Sequence, residues 1–287
     1  MVVEVEEVLV LEEAVPKNAY TDIFARNFIF PLAAAAYGSQ QNIKKCLTRI
    51  FRKPQFIKSW VVNCRGLFYV EAGHCSAFVA VDFIEKAIVL AYRGTDTKWQ
   101  LAHEAISLLF EDKVPSVFGY GNVAFYFDDI FNQLDSLNVT EVIYNLIRIY
   151  PNYDLWITGH SLGGALAALA AAKLVHINAI PQERIKLMTF GQPRTGDSGF
   201  AYEMEKELSF YNYRVVRGKD VIVHVPHEDY AHYSTEIFYD NDMKEASQWK
   251  YCYGGDKNMS CSKKYDFEMP TYPLCISTKL FIPAKFN

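Results

Sequence analysis

The chain has 287 residues, 51% apolar and 22% charged, a balance that suits a folded core and excludes extended disorder. Lys+Arg 29 against Asp+Glu 33 leaves −4, which argues against a partner held through a nucleic-acid phosphate backbone. The longest apolar run, 28–37, is interrupted by Pro31 and falls well short of the roughly twenty residues of a membrane span, so no bilayer crossing is expected.

Met1–Val15 alternates valines with Glu4, Glu6, Glu7, Glu12 and Glu13, the wrong sign for the basic start of a signal peptide. Residues 1–18 are taken as an N-terminal extension, and 19–287 as one domain, since no repeat or low-complexity linker divides the rest. The basic stretch Lys44–Lys58 is interleaved with Leu47, Ile50, Phe51 and Phe56 and reads as a solvated helix face, the alternative being contact with an anionic surface. Strand-like runs follow at Ser59–Val62, Ala77–Phe83, Ala87–Tyr92, Leu155–Thr158, Ile185–Phe190 and Tyr211–Val216. Helix-like segments lie at Val123–Leu134, Val142–Tyr150, Leu162–Ile177 and Gly199–Leu208. The runs between 77 and 92 are joined by Ile84–Lys86 as a hairpin, and the later strands alternate with helices. That order predicts an α/β fold with a mostly parallel, helix-covered central sheet, antiparallel at one end. Such sheets bind ligands beyond the carboxyl ends of their strands.

Gly159-His160-Ser161-Leu162-Gly163 lies between a strand and an alanine-rich helix, the setting a G-x-S-x-G nucleophile turn requires. The turn must be sharp enough to project the Ser161 hydroxyl, and glycines at 159 and 163 remove the Cβ atoms that would collide there. Ser161 is therefore the candidate nucleophile, with Leu162 N–H as one oxyanion donor. A second donor is expected after another strand end. Arg93-Gly94-Thr95-Asp96 follows the run ending at Tyr92, and Thr95 offers both N–H and hydroxyl; a plain strand-ending turn is the alternative. No P-loop or dinucleotide fingerprint occurs, and His227 and His232 are one residue too far apart for the helical zinc motif, so no metal or cofactor is expected.

Ala91-Tyr92-Arg93-Gly94-Thr95, the 158–165 segment, Phe190-Gly191-Gln192-Pro193-Arg194-Thr195-Gly196 and Asp220–Pro226 together resemble the class 3 lipases, the family of the filamentous-fungal triacylglycerol lipases. The cysteines and Glu236-Ile237-Phe238-Tyr239 are most similar to its secreted nematode members. The resemblance covers about residues 20–262. It implies an α/β-hydrolase fold, hydrolysis of acylglycerol or other lipid esters during transient contact with a lipid interface, and Thr95 and Leu162 as oxyanion donors. It also implies a lid helix over 97–109, a core helix being the alternative; from their place beside the site, Trp99 and Leu108 are candidate acyl contacts and Asp96 a candidate to hold the lid or Thr95. The even count of six cysteines and the sequons at Asn138 and Asn258 point to disulfides in a secreted, extracellular protein, buried free thiols being the alternative. The resemblance pairs Cys64 with Cys75 and Cys252 with Cys261, leaving Cys46 and Cys275.

In the family's motif Asp220 orients the catalytic histidine, whereas Asp229 and Glu236 match no motif. The histidine itself is the gap. The family places it near the C-terminus, and 272–283 contains none. Of the histidines after Asp220, His224 is expected to pack within the acid's motif and His227 to lie on a loop. His232 satisfies chain order as a fallback base but sits in a segment resembling a structural motif. The reading is thus a Ser-His-Asp type acyl-ester hydrolase with its base unplaced. The alternatives are a catalytically impaired lipid or partner binder and a short-chain esterase or phospholipase.

Overall fold

The computed structural model describes residues 18–64, 73–94, 112–116, 118–227, 229–233, 235–244, 247–254, 256 and 259–265. β1 (Pro54–Asn63), β2 (His74–Asp82) and β3 (Ala87–Tyr92) form an antiparallel meander. β3 then pairs in parallel with β6 (Asp154–His160), and the parallel run continues through β7 (Ile185–Phe190), β8 (Asn212–Arg217) and β9 (Thr235–Tyr239). β10 (Lys250–Cys252) closes the sheet antiparallel to β9, giving the order β1-β2-β3-β6-β7-β8-β9-β10. Two short strands, β4 (Lys113–Pro115) and β5 (Asn122–Ala124), pair separately.

The central strands are apolar on both faces because both faces are covered. Ile88, Leu90, Leu155 and Ile157 join one buried cluster, while Val89, Ala91 and Trp156 join the other. The first face is covered by α3 (Phe125–Asp135), α4 (Val139–Ile149), α5 (Leu162–His176) and α6 (Ser198–Glu207). α5 is buried almost throughout, and its alanines make it thin enough to lie between β3, β6 and β7 on one side and α3 on the other. Its buried Leu166, Leu169 and Leu174 contribute about 2 kcal/mol each. The opposite face is covered by a helical run from Asp22 that includes α1 (Phe30–Ala35), and by α2 (Gln40–Ile50). Pro31 stands just after the five-residue π turn Ala25–Ile29, which runs on into α1. Ser39 caps α2, and Asp197 caps α6 by accepting the Phe200 N–H at 2.9 Å.

The expected strands and hairpin are present, the first one longer than its apolar core. The basic stretch Lys44–Lys58 divides between α2, which buries Ile43 and Leu47, and edge strand β1. Disulfides join Cys64 to Cys75 and Cys252 to Cys261, the pairs the resemblance implies. Cys46 has no disulfide partner among the described residues, and Cys275 lies outside them.

Candidate active site

Ser161 stands alone between the last residue of β6 and the first of α5, with φ 57° and ψ −129°. A non-glycine residue there stores about 1–3 kcal/mol of strain, which the packed strand and helix on either side sustain. Two close approaches explain the flanking glycines. A Cβ at Gly159 would overlap the Gly163 carbonyl and lie 2.8 Å from Gly164 N; one at Gly163 would overlap the Tyr92 carbonyl. Ser161 N–H donates to Phe190 O at 2.9 Å, tying the turn to the end of β7. The serine is 8% exposed. Leu162 opens α5, so its N–H is among the donors a helix start leaves over.

Asp220 follows β8 and a turn at Gly218, and its Oδ1 accepts the Ile222 N–H at 3.0 Å. Its Oδ2 faces β7's end, 2.8 Å from the point a Cβ would occupy at Gly191; His160 Nε2 lies 3.7 Å from the same point. Burial pushes the carboxyl up to about 6, against the Ile222 N–H and the charge of Arg217. Across the turn, Tyr37 Oη and His160 Nδ1 are 2.9 Å apart, and burial pushes the imidazole down to about 4, so it is neutral at pH 7.

His232 is placed differently. Its Nε2 meets Val223 O at 2.6 Å, its backbone N–H donates to Asp256 Oδ2 at 2.9 Å, and its Nδ1 is buried with no hydrogen-bond partner among the described residues. Burial and nearby Arg214 push its pKa well below the ordinary imidazole value. Neither Ser161 nor Asp220 is hydrogen-bonded to an imidazole among the described residues. The surrounding loop is held by Arg194, 3% exposed, which grips Asp256 through two 3.0 Å bonds and donates to His224 O and, at 2.8 Å, to Pro226 O. His224 is buried and His227 exposed, as expected. Asp229 is exposed beside Lys113; Glu236 is buried, 3.8 Å from Arg214, and takes both the N–H and hydroxyl of Ser262. Glu236, Cys252 and Cys261 lie close together, but both sulfurs are spent in the disulfide, which leaves a poor metal donor set. Thr95, Asp96, Trp99, Leu108 and the 272–283 segment lie outside the described residues.

Sequence reasoning singled out Ser161, Leu162 and Asp220, and the structure gathers these at the carboxyl ends of β6 and β8. It did not single out Tyr37, whose hydroxyl reaches the turn from 123 residues away. Residues 89–230 match the family model for lipase (class 3). Over 281 residues the chain is 28% identical to the lipase ZK262.3 of Caenorhabditis elegans, spanning 86% of this chain and 75% of that protein. Lipase II from Rhizopus niveus superposes with a TM-score of 0.69 at 22% identity, covering 82% of this chain and 86% of that one. A triacylglycerol lipase whose catalytic centre is formed by a serine protease triad gives 0.69 at 24%, covering 84% and 88%. The fold is the α/β-hydrolase fold.

Proposed function

Through residues 89–230 the chain is a member of the class 3 lipase family, and from that premise we propose that it hydrolyses acyl esters of acylglycerols on Ser161. The observation that carries the reading is the strained serine between β6 and α5, because such a φ on a non-glycine residue at a strand–helix turn serves to expose an attacking hydroxyl. Ser161 attacks the acyl carbon. Leu162 N–H and Thr95 receive the developing oxyanion, and Asp220 is the orienting carboxylate. The alcohol leaves, and water then releases the acyl group from the serine. Trp99 and Leu108 supply apolar contacts to the acyl chain from a lid. The domain is a single one over 19–287, and it works outside the cell at lipid surfaces. The two disulfides support that placement. Among the described residues no helix is long and apolar enough to cross a membrane.

His232 remains the fallback base on chain order, and its bond to Val223 O weighs against it. The same bond favours a second reading, a lipid-binding protein with little turnover. A p-nitrophenyl ester series run beside Ser161→Ala, with fluorophosphonate labelling, tests the two. Serine-dependent turnover and labelling support the hydrolase. A parent no faster than Ser161→Ala, and unlabelled, supports the binder. A preference for short soluble esters would move the label from lipase to esterase.

A further inference from the structure

From Ile23 to Val70 the sequence carries eight of its 29 basic residues and none of its 33 acidic ones. Six of the eight, Lys44, Lys45, Arg49, Arg52, Lys53 and Lys58, stand exposed on α2, on the link that follows it and on β1. Lys45 and Arg49 lie one helical turn apart, where like charges repel, and Arg52 and Lys53 are adjacent. Among the described residues, the side chains of Lys44, Lys45, Arg52, Lys53 and Lys58 form no ion pair with a carboxylate. Asp82, beside Lys53, is buried and accepts the backbone N–H groups of Lys53, Ile84 and Glu85; at the hairpin tip exposed Glu85 is followed by exposed Lys86. Three of the ammonium groups are seated on rings: Lys44 over Phe56 and Lys58 over Trp60, each at 5.1 Å, and Lys53 over Phe83 at 5.7 Å. A cation held this way has given up part of its rotamer freedom before any partner arrives. The rings belong to opposite faces of the sheet. Phe56 packs with the cluster under α1 and α2, whereas Trp60 and Phe83 pack with the cluster on the α5 face; the register shift between Phe56 and Lys58 divides them. Cations therefore flank the edge of β1 on both sides.

We propose that this edge binds a linear polyanionic polysaccharide, a sulfated or uronate-rich glycan lying along β1 between the cations of its two faces. The partner class rests on the extracellular placement above. Strand register sets the edge apart from the nucleophile. Pro54 is level, through Asp82 and Ala87, with Asp154 at the amino end of β6, and Ser161 follows the other end of that strand. Lys53 is thus roughly 25 Å from Ser161 along the strands. A flat anionic bilayer could meet only one face of the edge, and one engaged at the Ser161 end of the sheet would leave Arg52 and Lys53 remote from it. A flexible chain meets both faces and leaves the Ser161 end free, so the protein is held in an anionic matrix while its site stays open to substrate. Overall charge cannot produce such binding, because the whole chain carries −4.

Heparin is the probe, offered to the full chain at low salt. The expected result is binding that falls steeply as salt rises, because counterions condensed on the polyanion are released. Lys45→Gln/Arg52→Gln/Lys53→Gln removes three exposed cations and touches no buried group. It should weaken heparin binding by about a hundredfold and lower the slope of log affinity against log salt by about three, with ester turnover at the parental rate. Neutralising the exposed Arg148, Lys206 and Lys244 in the same way changes the net charge equally and should leave heparin affinity within about twofold. No binding at low salt, an equal loss in the two triple variants, or tighter binding to phosphatidylserine vesicles than to heparin overturns the proposal and leaves the ester-hydrolase reading as it was. A chain that binds heparin but stays inside the cells that make it overturns the glycan partner together with the extracellular placement.

Discussion

The turn after β6 and the loop after β8 each bring a polar side chain to the same end of the sheet, but different forces hold them. The first is held by local backbone geometry: glycines at 159 and 163 let strand and helix touch, and Ser161 takes the left-handed φ between them. The second is held from afar. Arg194 on the β7 side grips Asp256 from the loop after β10 and takes the carbonyls of His224 and Pro226, and Asp256 in turn receives the His232 N–H. A locally determined turn tolerates almost no change in its own residues. A remotely braced loop is vulnerable at residues that no motif marks.

Gly159→Ala should break the first region hardest. Its methyl overlaps the Gly163 carbonyl, backbone that cannot move without separating β6 from α5, so a loss of at least about 4 kcal/mol in urea unfolding is expected. Asp256→Asn should do the corresponding damage to the second region. It leaves the buried Arg194 without a counter-charge, at about 3 kcal/mol, and a variant no less stable than the parent would show the brace to be idle. Asp220→Asn sharpens the contrast through pH. The folded carboxyl titrates at about 6 against roughly 4 unfolded, so the neutral form is favoured in the fold; its stabilisation is full below about pH 4 and lost as pH rises through 6. Asparagine keeps an acceptor for the Ile222 N–H, so the variant should gain on the parent above pH 6, on the order of 2 kcal/mol, with the gap closing toward pH 4. Unfolding midpoints at pH 4 and 8 check the sign. The smallest effect is Ser161→Gly, which releases the strained φ and should stabilise by about 1 kcal/mol while abolishing ester turnover.

That contrast also explains what was legible in the sequence. The nucleophile turn could be read because its requirements fall on consecutive residues and on residue types with few other uses. Asp220 could be placed from its motif, though not the Arg194–Asp256 brace, since nothing in the spacing of 194 and 256 announces a pair. β9 and β10 escaped the strand reading because they are short and β9 carries Glu236, a residue that sits buried only because Arg214 and Ser262 attend it. The segment Val123–Leu134 was expected as one helix, but 122–124 pair as β5 and the helix begins at Phe125. Tyr37 was invisible for a simpler reason: tyrosine is common in cores, and only the fold brings its hydroxyl to His160, the residue before the serine.

The edge strand β1 has a consequence of its own. It is ten residues long, with Val61 59% exposed, and among the described residues its outer hydrogen-bonding side borders no other strand, a template for a second copy of the chain. The basic stretch counters that. Lys58 lies over Trp60 and Lys44 over Phe56, each 5.1 Å from the ring centre, so two cations stand beside the edge that a second copy would have to bury. The Cys64–Cys75 bond ties the same strand to its neighbour, closing a loop short enough to contribute just under about 3 kcal/mol. The stretch that reads in the sequence as a solvated basic face thus also guards the edge, its lysines keeping one copy's β1 from pairing with another's.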